Sequence, residues 1–361
     1  MPQAWLTCHQ NLCLPLLYAS VGLPCTRDEM SYEIAELAAS RLRGWYRALD
    51  ERPDLSFLVK TAWVFEPSSL SQRVLGFRNL QHLTLSTREL FWPPDITLAE
   101  SERPRLLSID CFDELNGFDD GSPIASPSES FDLSGLRSLA IETMLNDGPP
   151  WRWVCALTAG LRSLQLDLWG SVQEAELACL IQRHGQSLRH LRLSTGMVWA
   201  TNGNAATQLP SLDVACPGLV SFGMDIHETD LTTGNEREAT QGYSGRLFSR
   251  LLSDGHPTLR ALELGAGRDI DQATNEPIIK LALTQVLRTV CPLAGPDGGG
   301  ITRLTQLRRV TLSQISLQTD RGADDEVKAL LGLGIEVIDR IGGSAADGLA
   351  APGAKDDRRV L

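Results

Sequence analysis

A six-residue pattern, L-x-x-L-x-L or a close variant, recurs eight times and constrains the fold of this chain more than any other feature. Its first, fourth and sixth positions are apolar: Leu80/Leu83/Leu85, Leu106/Ile109/Cys111, Leu136/Leu139/Ile141, Leu161/Leu164/Leu166, Leu188/Leu191/Leu193, Leu219/Phe222/Met224, Leu259/Leu262/Leu264 and Leu307/Val310/Leu312. Such self-similarity indicates stacked repeats, in which each unit buries its apolar edge against its neighbours.

The second half of each motif alternates apolar and polar residues, which is typical of a short strand with one buried face. Successive motifs begin 26, 30, 25, 27, 31, 40 and 48 residues apart, so the early intervals lie at or just above the leucine-rich-repeat period. The sequence therefore predicts an α/β fold. We expect an irregular leucine-rich-repeat solenoid with parallel strands on the concave side and helices on the convex side.

Further elements extend this pattern at both ends and between the strands. A weaker first unit is predicted at Val59/Ala62/Val64, and a last strand is predicted at Ile335–Ile338 as an end cap. Ser171 and Glu174 form a capping box that predicts a helix ending at Gly185. A second helix carries Leu247, Phe248, Leu251 and Leu252 and ends at Gly255, and Pro277 is expected to open a third.

Composition narrows the function classes. The formal charge of −12 argues against nucleic-acid binding, and no uninterrupted apolar run is long enough to span a membrane. The apolar stretch at residues 11–23 is not preceded by any Lys or Arg and is interrupted by Pro15, so we do not interpret it as a secretory signal. Eight scattered cysteines without a C-x-x-C motif predict reduced thiols in an intracellular protein, cytoplasmic or nuclear.

The N-terminal sequence AWLTCHQNLCLPLLYASVGL resembles the last helix and exit of an F-box domain. Its matching residues are Trp5, Cys8, Pro15, Leu16, Leu17, Tyr18 and Val21. The later RPDLSFLV (Arg52, Pro53, Asp54, Leu55 and Val59) resembles the passage by which such proteins enter their repeats. Over nearly its whole length the chain is similar to fungal F-box/leucine-rich-repeat proteins.

That resemblance implies three regions. Residues 1–50 would hold the remnant of the F-box and capping helices, residues 51–341 the solenoid, and residues 342–361 a disordered tail. The resemblance also implies the substrate-recognition role of an SCF-type ubiquitin ligase adaptor, with the Skp adaptor and cullin as partners. In this resemblance Met1 falls inside the last F-box helix, so we expect either that the sequence is truncated or that ligase coupling has been lost. A stand-alone interaction scaffold or regulator without ligase coupling is therefore the alternative.

The alternating positions of the strands are expected to face solvent on the concave side. We predict a protein-binding surface there that is mostly acidic and suits a basic segment of a partner. Its predicted residues are Trp63, Asp110, Phe112, Glu142, Asp167, His190, Arg192, Asp225, Glu263 and Arg309. The other interpretation of these positions is a solvated sheet face that binds nothing.

No catalytic or metal-binding pattern stands out. The six histidines share no ligand spacing, and no nucleophile elbow, phosphate-binding loop or metalloprotease motif occurs. We therefore expect no cofactor, no metal and no enzymatic activity.

Overall fold

The structure is a computed structural model. It describes residues 19–21, 40, 44–45, 47–64, 76–86, 99–112, 131–145, 157, 160–171, 174–197, 211–226, 243–266, 272–290, 304–313, 324–340 and 359–360. The chain divides into two compact units. Unit 1 comprises residues 1–143 and 156–158, and unit 2 comprises residues 144–155 and 159–361.

Unit 1 is built on parallel strands that pair in chain order. These are β1 (Ser20–Val21), β2 (Thr61–Val64), β3 (His82–Ser86), β4 (Ser108–Phe112) and β5 (Ser138–Leu145), whose residues 138–143 belong to this unit. Leu83, Ile109 and Leu139 occupy one register row and are buried. Each predicted motif in this unit therefore forms a strand, as does the weaker motif at Val59.

The described connections of unit 1 include two short 3₁₀ helices, Pro53–Leu58 and Glu100–Glu102. Pro53 lies in the first turn of the former, where a missing backbone N–H costs nothing. Residues 47–51, between β1 and β2, are helical.

Unit 2 has a second run of parallel strands in chain order. They are β6 (Ser163–Ser171), β7 (His190–Met197), β8 (Ser221–Ile226), β9 (Ala261–Ala266), β10 (Arg309–Ser313) and β11 (Glu336–Arg340), followed by the antiparallel β12 (Arg359–Val360). Every motif predicted in this unit forms a strand, and the last strand begins one residue after the predicted Ile335.

Helices connect the strands of unit 2. They are α1 (Glu174–His184), α2 (Leu212–Ala215), α3 (Tyr243–Asp254), α4 (Gln272–Val290) and α5 (Asp324–Gly332). Helix α3 contacts β7 and β8, α4 contacts β9, and α5 contacts β11. Phe222 of β8 and Phe248 of α3 are fully buried, because the motif residues pack against the apolar sides of these helices. The α/β repeat architecture is thus confirmed within this unit.

Two glycines end helices where the sequence predicts. Gly255 follows α3 with φ of 79°, a left-handed conformation that only glycine adopts without strain. Gly185 follows α1, and its amide donates to the carbonyl of Ile181 at 2.7 Å. A Cβ at Gly185 would overlap the carbonyl oxygen of Ala215, so glycine permits the close approach of α1 and α2.

Several local expectations fail. Helix α4 begins at Gln272, not at Pro277, because Gln272, Ala273 and Glu276 favour helix. Strands β1 and β12 were not predicted. Residues Arg359–Val360 form β12, which differs at these two positions from the prediction of a disordered tail.

Other expectations lie outside the described residues. They include the F-box-like residues before position 19, the middle of the capping box at 172–173 and most of the tail. The domain boundaries at residues 50 and 341 remain predictions. No helix in the described part of the chain is both long and apolar enough to cross a membrane.

Candidate functional site

Each unit has a sheet face opposite its buried motif leucines, and we call it the polar face of that unit. Strand register arranges its side chains in rows that run across the strands. In unit 1 the polar face comprises Thr61, Trp63, His82, Thr84, Ser108, Asp110, Ser138 and Ala140. In unit 2 it comprises Ser163, Gln165, Asp167, His190, Arg192, Ser194, Ser221, Gly223, Asp225, Ala261, Glu263, Gly265, Arg309 and Thr311.

In unit 1, Trp63 and Asp110 lie in one row with Thr84 between them. Both are half-buried. The side chains of Phe112 and Glu142, although they belong to β4 and β5, lie outside the described part of the structure. The predicted site residues of this unit therefore come together as one aromatic and one acidic side chain about two strand spacings, or ~9.6 Å, apart.

The polar face of unit 2 is organised by Arg192. Its guanidinium donates to Asp225 Oδ1 at 3.1 Å and also to Glu263 Oε1. The three side chains expose 12%, 5% and 23% of their surfaces. One arginine thus joins carboxylates on two other strands, β8 and β9, in a largely dry environment where such pairs are strong.

Gly223 makes this long reach possible. Register places it directly between Arg192 on β7 and Glu263 on β9. A Cβ at position 223 would lie 3.2 Å from Arg192 Cγ and 3.4 Å from Glu263 Cβ. The arginine side chain passes over β8 because this position carries no side chain, which is one reason for glycine inside a strand.

A second row continues the charged network. Asp167 of β6 lies in register with Ser194 of β7, and the Ser194 hydroxyl donates to Asp225 Oδ2. All three residues are buried. Burial opposes the charged form of Arg192, but the nearby carboxylates of Asp225, Glu263 and Asp167 outweigh it and raise the pKa of the guanidinium above its usual value.

These contacts correct the expectation of a solvent-facing acidic surface in unit 2. Asp167 and Asp225 are buried instead of exposed, and the long Arg192 side chain lies across β8, the strand of Asp225. Asp225 and Glu263 neutralise this internal arginine, so their charges are committed within the face. Whether a partner binds there stays a prediction, as do the individual site residues.

The remaining predicted residues of unit 2 lie in the row that begins the strands. His190 is exposed, and partial loss of water around its ring lowers its pKa. Arg309 Nε donates to Glu336 Oε2 at 3.0 Å, a pair whose side chains are both about 40% exposed. Ser221 and Ala261 separate His190 from Arg309 along this row.

Sequence reasoning identified the face but missed Gly223, Ser194 and Glu336. A glycine at an alternating strand position was an available signal for Gly223. Ser194 has the polar residue type and strand parity of the face but no further signal, and Glu336 falls in the strand that was predicted as an end cap.

A buried polar pair stabilises unit 2 away from this face. His256 is buried, and its Nε2 hydrogen-bonds the carbonyl oxygen of Cys216 at 3.1 Å. Burial lowers the pKa of His256, although the hydrogen bonds and Asp213 act in the opposite direction. Burial also raises the pKa of the Cys216 thiol to about 12, so this cysteine stays protonated and unreactive.

Within the described ranges, no group of three or more His, Cys, Asp or Glu residues is arranged to hold a metal ion. No protein-family model matches the chain, and no curated protein does. Among solved structures, an internalin from Listeria monocytogenes aligns with a TM-score of 0.32 and 14% sequence identity, covering 79% of this chain and 68% of that one. A TM-score this low leaves the fold to be established by the strand ladder itself.

Proposed function

We propose that the chain is a non-enzymatic protein-binding module that presents its polar faces, built on leucine-rich strands, to a partner protein. The observation that carries the proposal is the organised polar face of unit 2, where Arg192 is fixed by Asp225 and Glu263. A surface whose side chains are already ordered loses less conformational entropy when a partner binds.

The polar face of unit 1 adds a second element in support. Trp63 is half-buried beside small polar neighbours, and partly exposed tryptophans frequently supply a large share of binding energy. Thr84 beside it offers a hydrogen-bonding hydroxyl, and Asp110 adds a carboxylate on the next strand of the same row.

The finer proposal is that this module recognises substrates for an SCF-type ubiquitin ligase. It rests on the resemblance of the N-terminal and repeat-entry sequences to F-box/leucine-rich-repeat proteins. The Skp adaptor and cullin would then be partners. The alternative is an interaction scaffold or regulator without ligase coupling.

Affinity capture of the full chain from its own cells tests both levels. Recovery of the Skp adaptor and cullin would support the ligase role. Recovery of other stable partners without them would support the scaffold alternative.

A variant tests the polar face of unit 1 in the same capture experiment: Trp63→Ala should lose captured partners. Phe57→Ala, which removes an exposed aromatic outside the polar face, is the matched control. Equal capture by both variants would contradict binding through the polar face of unit 1.

A further inference from the structure

A row of arginines lies along one edge of the sheet in unit 2, at the residue just before the strands begin. We call it the arginine edge, and it consists of Arg162, Arg189, Arg260 and Arg308, with Val220 in the middle. Each residue follows the first leucine or equivalent of its motif. Because parallel strands begin at the same edge, these positions are neighbours in space although 146 residues separate the first from the last.

Backbone hydrogen bonds fix this arrangement. The amide of Arg189 donates to the carbonyl of Arg162, and the amide of Val220 donates to that of Arg189, both at 2.8 Å. Arg260 then donates to Val220, and Arg308 donates to Arg260, also at 2.8 Å. Adjacent positions are therefore one strand spacing apart, and the edge extends about 19 Å over four spacings of roughly 4.8 Å.

The positive charges of this edge are not neutralised by the described part of the unit. All four arginines are exposed. Arg162, Arg260 and Arg308 form no salt bridge within the described residues. Arg189 donates, among those same residues, only to the backbone carbonyl of Gly218, at 2.8 Å. The turn segments 160–162, 186–189, 217–220, 257–260 and 305–308 contain no Asp or Glu.

This concentration of positive charge contrasts with the rest of the chain, whose formal charge is −12. It also contrasts with the adjacent polar face, where Arg192 and Arg309 are paired with carboxylates. Exposed unpaired arginines in a fixed row are available to bind carboxylates through two parallel hydrogen bonds each.

We propose that the arginine edge binds an extended acidic segment of a partner protein. The inference deepens the proposed protein-binding function and rests on it. An extended segment rises about 3.3 Å per residue, so roughly six residues cover the edge, with side chains on one side repeating about every 6.6 Å. Three carboxylates on that side fit within its length, and the long arginine side chains accommodate the difference from the strand spacing.

The negative net charge of the chain favours a short acidic segment over a long polyanion as the ligand of the arginine edge. A nucleic acid or an anionic membrane extends well beyond the edge, and it would meet the repulsion of a chain with a charge of −12. A short segment interacts with the edge alone, since charges more than about 10 Å away are largely screened at ~0.1 M salt.

The test uses the purified full chain and a fluorescent peptide of alternating glutamate and serine, with binding followed by anisotropy. The reversal triple Arg162→Glu, Arg260→Glu and Arg308→Glu should weaken binding by about tenfold or more. The control triple Arg78→Glu, Arg183→Glu and Arg288→Glu alters exposed arginines elsewhere by the same total charge. It should change the dissociation constant by less than about twofold. Arg189 is left intact because it contacts the turn at Gly218.

Additional measurements distinguish specific binding at the arginine edge from unfolding of the variant, from a net-charge effect and from polyanion binding. A glutamine triple at the same three edge positions repeats the measurement if the reversal triple unfolds. The inference is overturned if the acidic peptide does not bind at low salt, or if both triples weaken binding equally, which would indicate a net-charge effect. It is also overturned if duplex DNA or anionic vesicles bind more tightly than the peptide and the edge substitutions remove that binding.

Capture from cells separates this inference from the proposed function. Loss of captured partners in the edge triple supports the inference. If the edge triple keeps all partners while Trp63→Ala loses them, the arginine edge is not the binding site and the proposed function stands. If neither variant changes the captured set, the inference fails and the partners do not bind through the polar face of unit 1, whereas capture of no stable partner at all by the unmodified chain would contradict the proposed function.

Discussion

The two units use the same strand motif but treat their polar faces differently. In unit 1 the described rows hold Trp63, Thr84 and Asp110 among small residues, and the described connections include two 3₁₀ helices. In unit 2 the connections contain α-helices, and Arg192 joins carboxylates on two other strands. Leucine periodicity therefore determines the strands of both units, whereas the faces are determined by residues that the motif leaves free.

The difference indicates two ways of preparing a binding surface. A weakly charged face such as that of unit 1, with Asp110 as its one acidic side chain among the described residues, depends on shape and one aromatic side chain. A charged face such as that of unit 2 must first satisfy its own ions, because unpaired charges that are largely buried would destabilise the fold. Because the ions of this face are paired with one another, the charge available to a partner lies on the arginine edge.

The strongest test of this contrast is removal of the central arginine. Arg192→Ala leaves Asp225 and Glu263 largely buried without their cation, so we expect a loss of about 3 kcal/mol in local stability. Native-state hydrogen exchange of amides in β7–β9 measures it. Arg309→Ala, which breaks a half-exposed pair with Glu336, should cost at most about 1 kcal/mol. Similar losses for both variants would contradict the contrast.

Blocking the path of the arginine should have a smaller effect. Gly223→Val introduces a side chain whose Cβ would lie 3.2 Å from Arg192 Cγ, and we expect a loss of about 2 kcal/mol. In an Arg192→Ala background much of that loss should disappear. Gly332→Val, where no atom lies within 4 Å of such a Cβ, should stay within about 0.5 kcal/mol. An unchanged cost in both backgrounds would show that the crossing is not the cause.

A serine pair compares the units directly. Ser194→Ala removes the hydroxyl that donates to the buried Asp225, and we expect a loss of about 1.5 kcal/mol in unit 2. Ser108→Ala on the polar face of unit 1 should stay within about 0.5 kcal/mol. Hydrogen exchange of β8 and β4 amides reports the two effects, and a larger loss at Ser108 would reverse the comparison.

The smallest expected effect is a decrease in the free energy of unfolding at mildly acidic pH, caused by the buried His256. Because the folded-state pKa of His256 is lowered, the unfolded chain binds more protons between that pKa and the ordinary value of about 6.5. Stability should therefore fall as the pH decreases through ~6.5, and it should stop falling below the folded-state pKa. His256→Gln should flatten this part of the pH profile of urea unfolding. An identical profile would mean that other groups cause the acid sensitivity.

The strands could be predicted from sequence because alternation and repeat spacing are local signals. Gly255 was predictable as a helix end for the same reason. The early start of α4 was missed because Pro277 was given too much weight as a first-turn residue. Strands β1 and β12 are two residues each, and pairing with a neighbour, which a local pattern does not contain, defines them.

The membership of the polar faces could be predicted from strand parity, but their internal chemistry could not. Arg192 and Glu263 are 71 residues apart, and their contact depends on the register of three strands and on the space above Gly223. The arginine edge, in contrast, could have been predicted from the sequence. Arginine follows the first leucine in five of the eight motifs: Arg137, Arg162, Arg189, Arg260 and Arg308.

A double-mutant cycle between Arg192→Ala and Glu263→Gln tests most directly whether the polar face of unit 2 is fixed from within. Local stability of β7–β9 by hydrogen exchange gives the four free energies. We predict a coupling energy of about 1–2 kcal/mol, since the two side chains contact each other across Gly223. Additivity within about 0.3 kcal/mol would mean that the pair does not interact, and would contradict the account of this face.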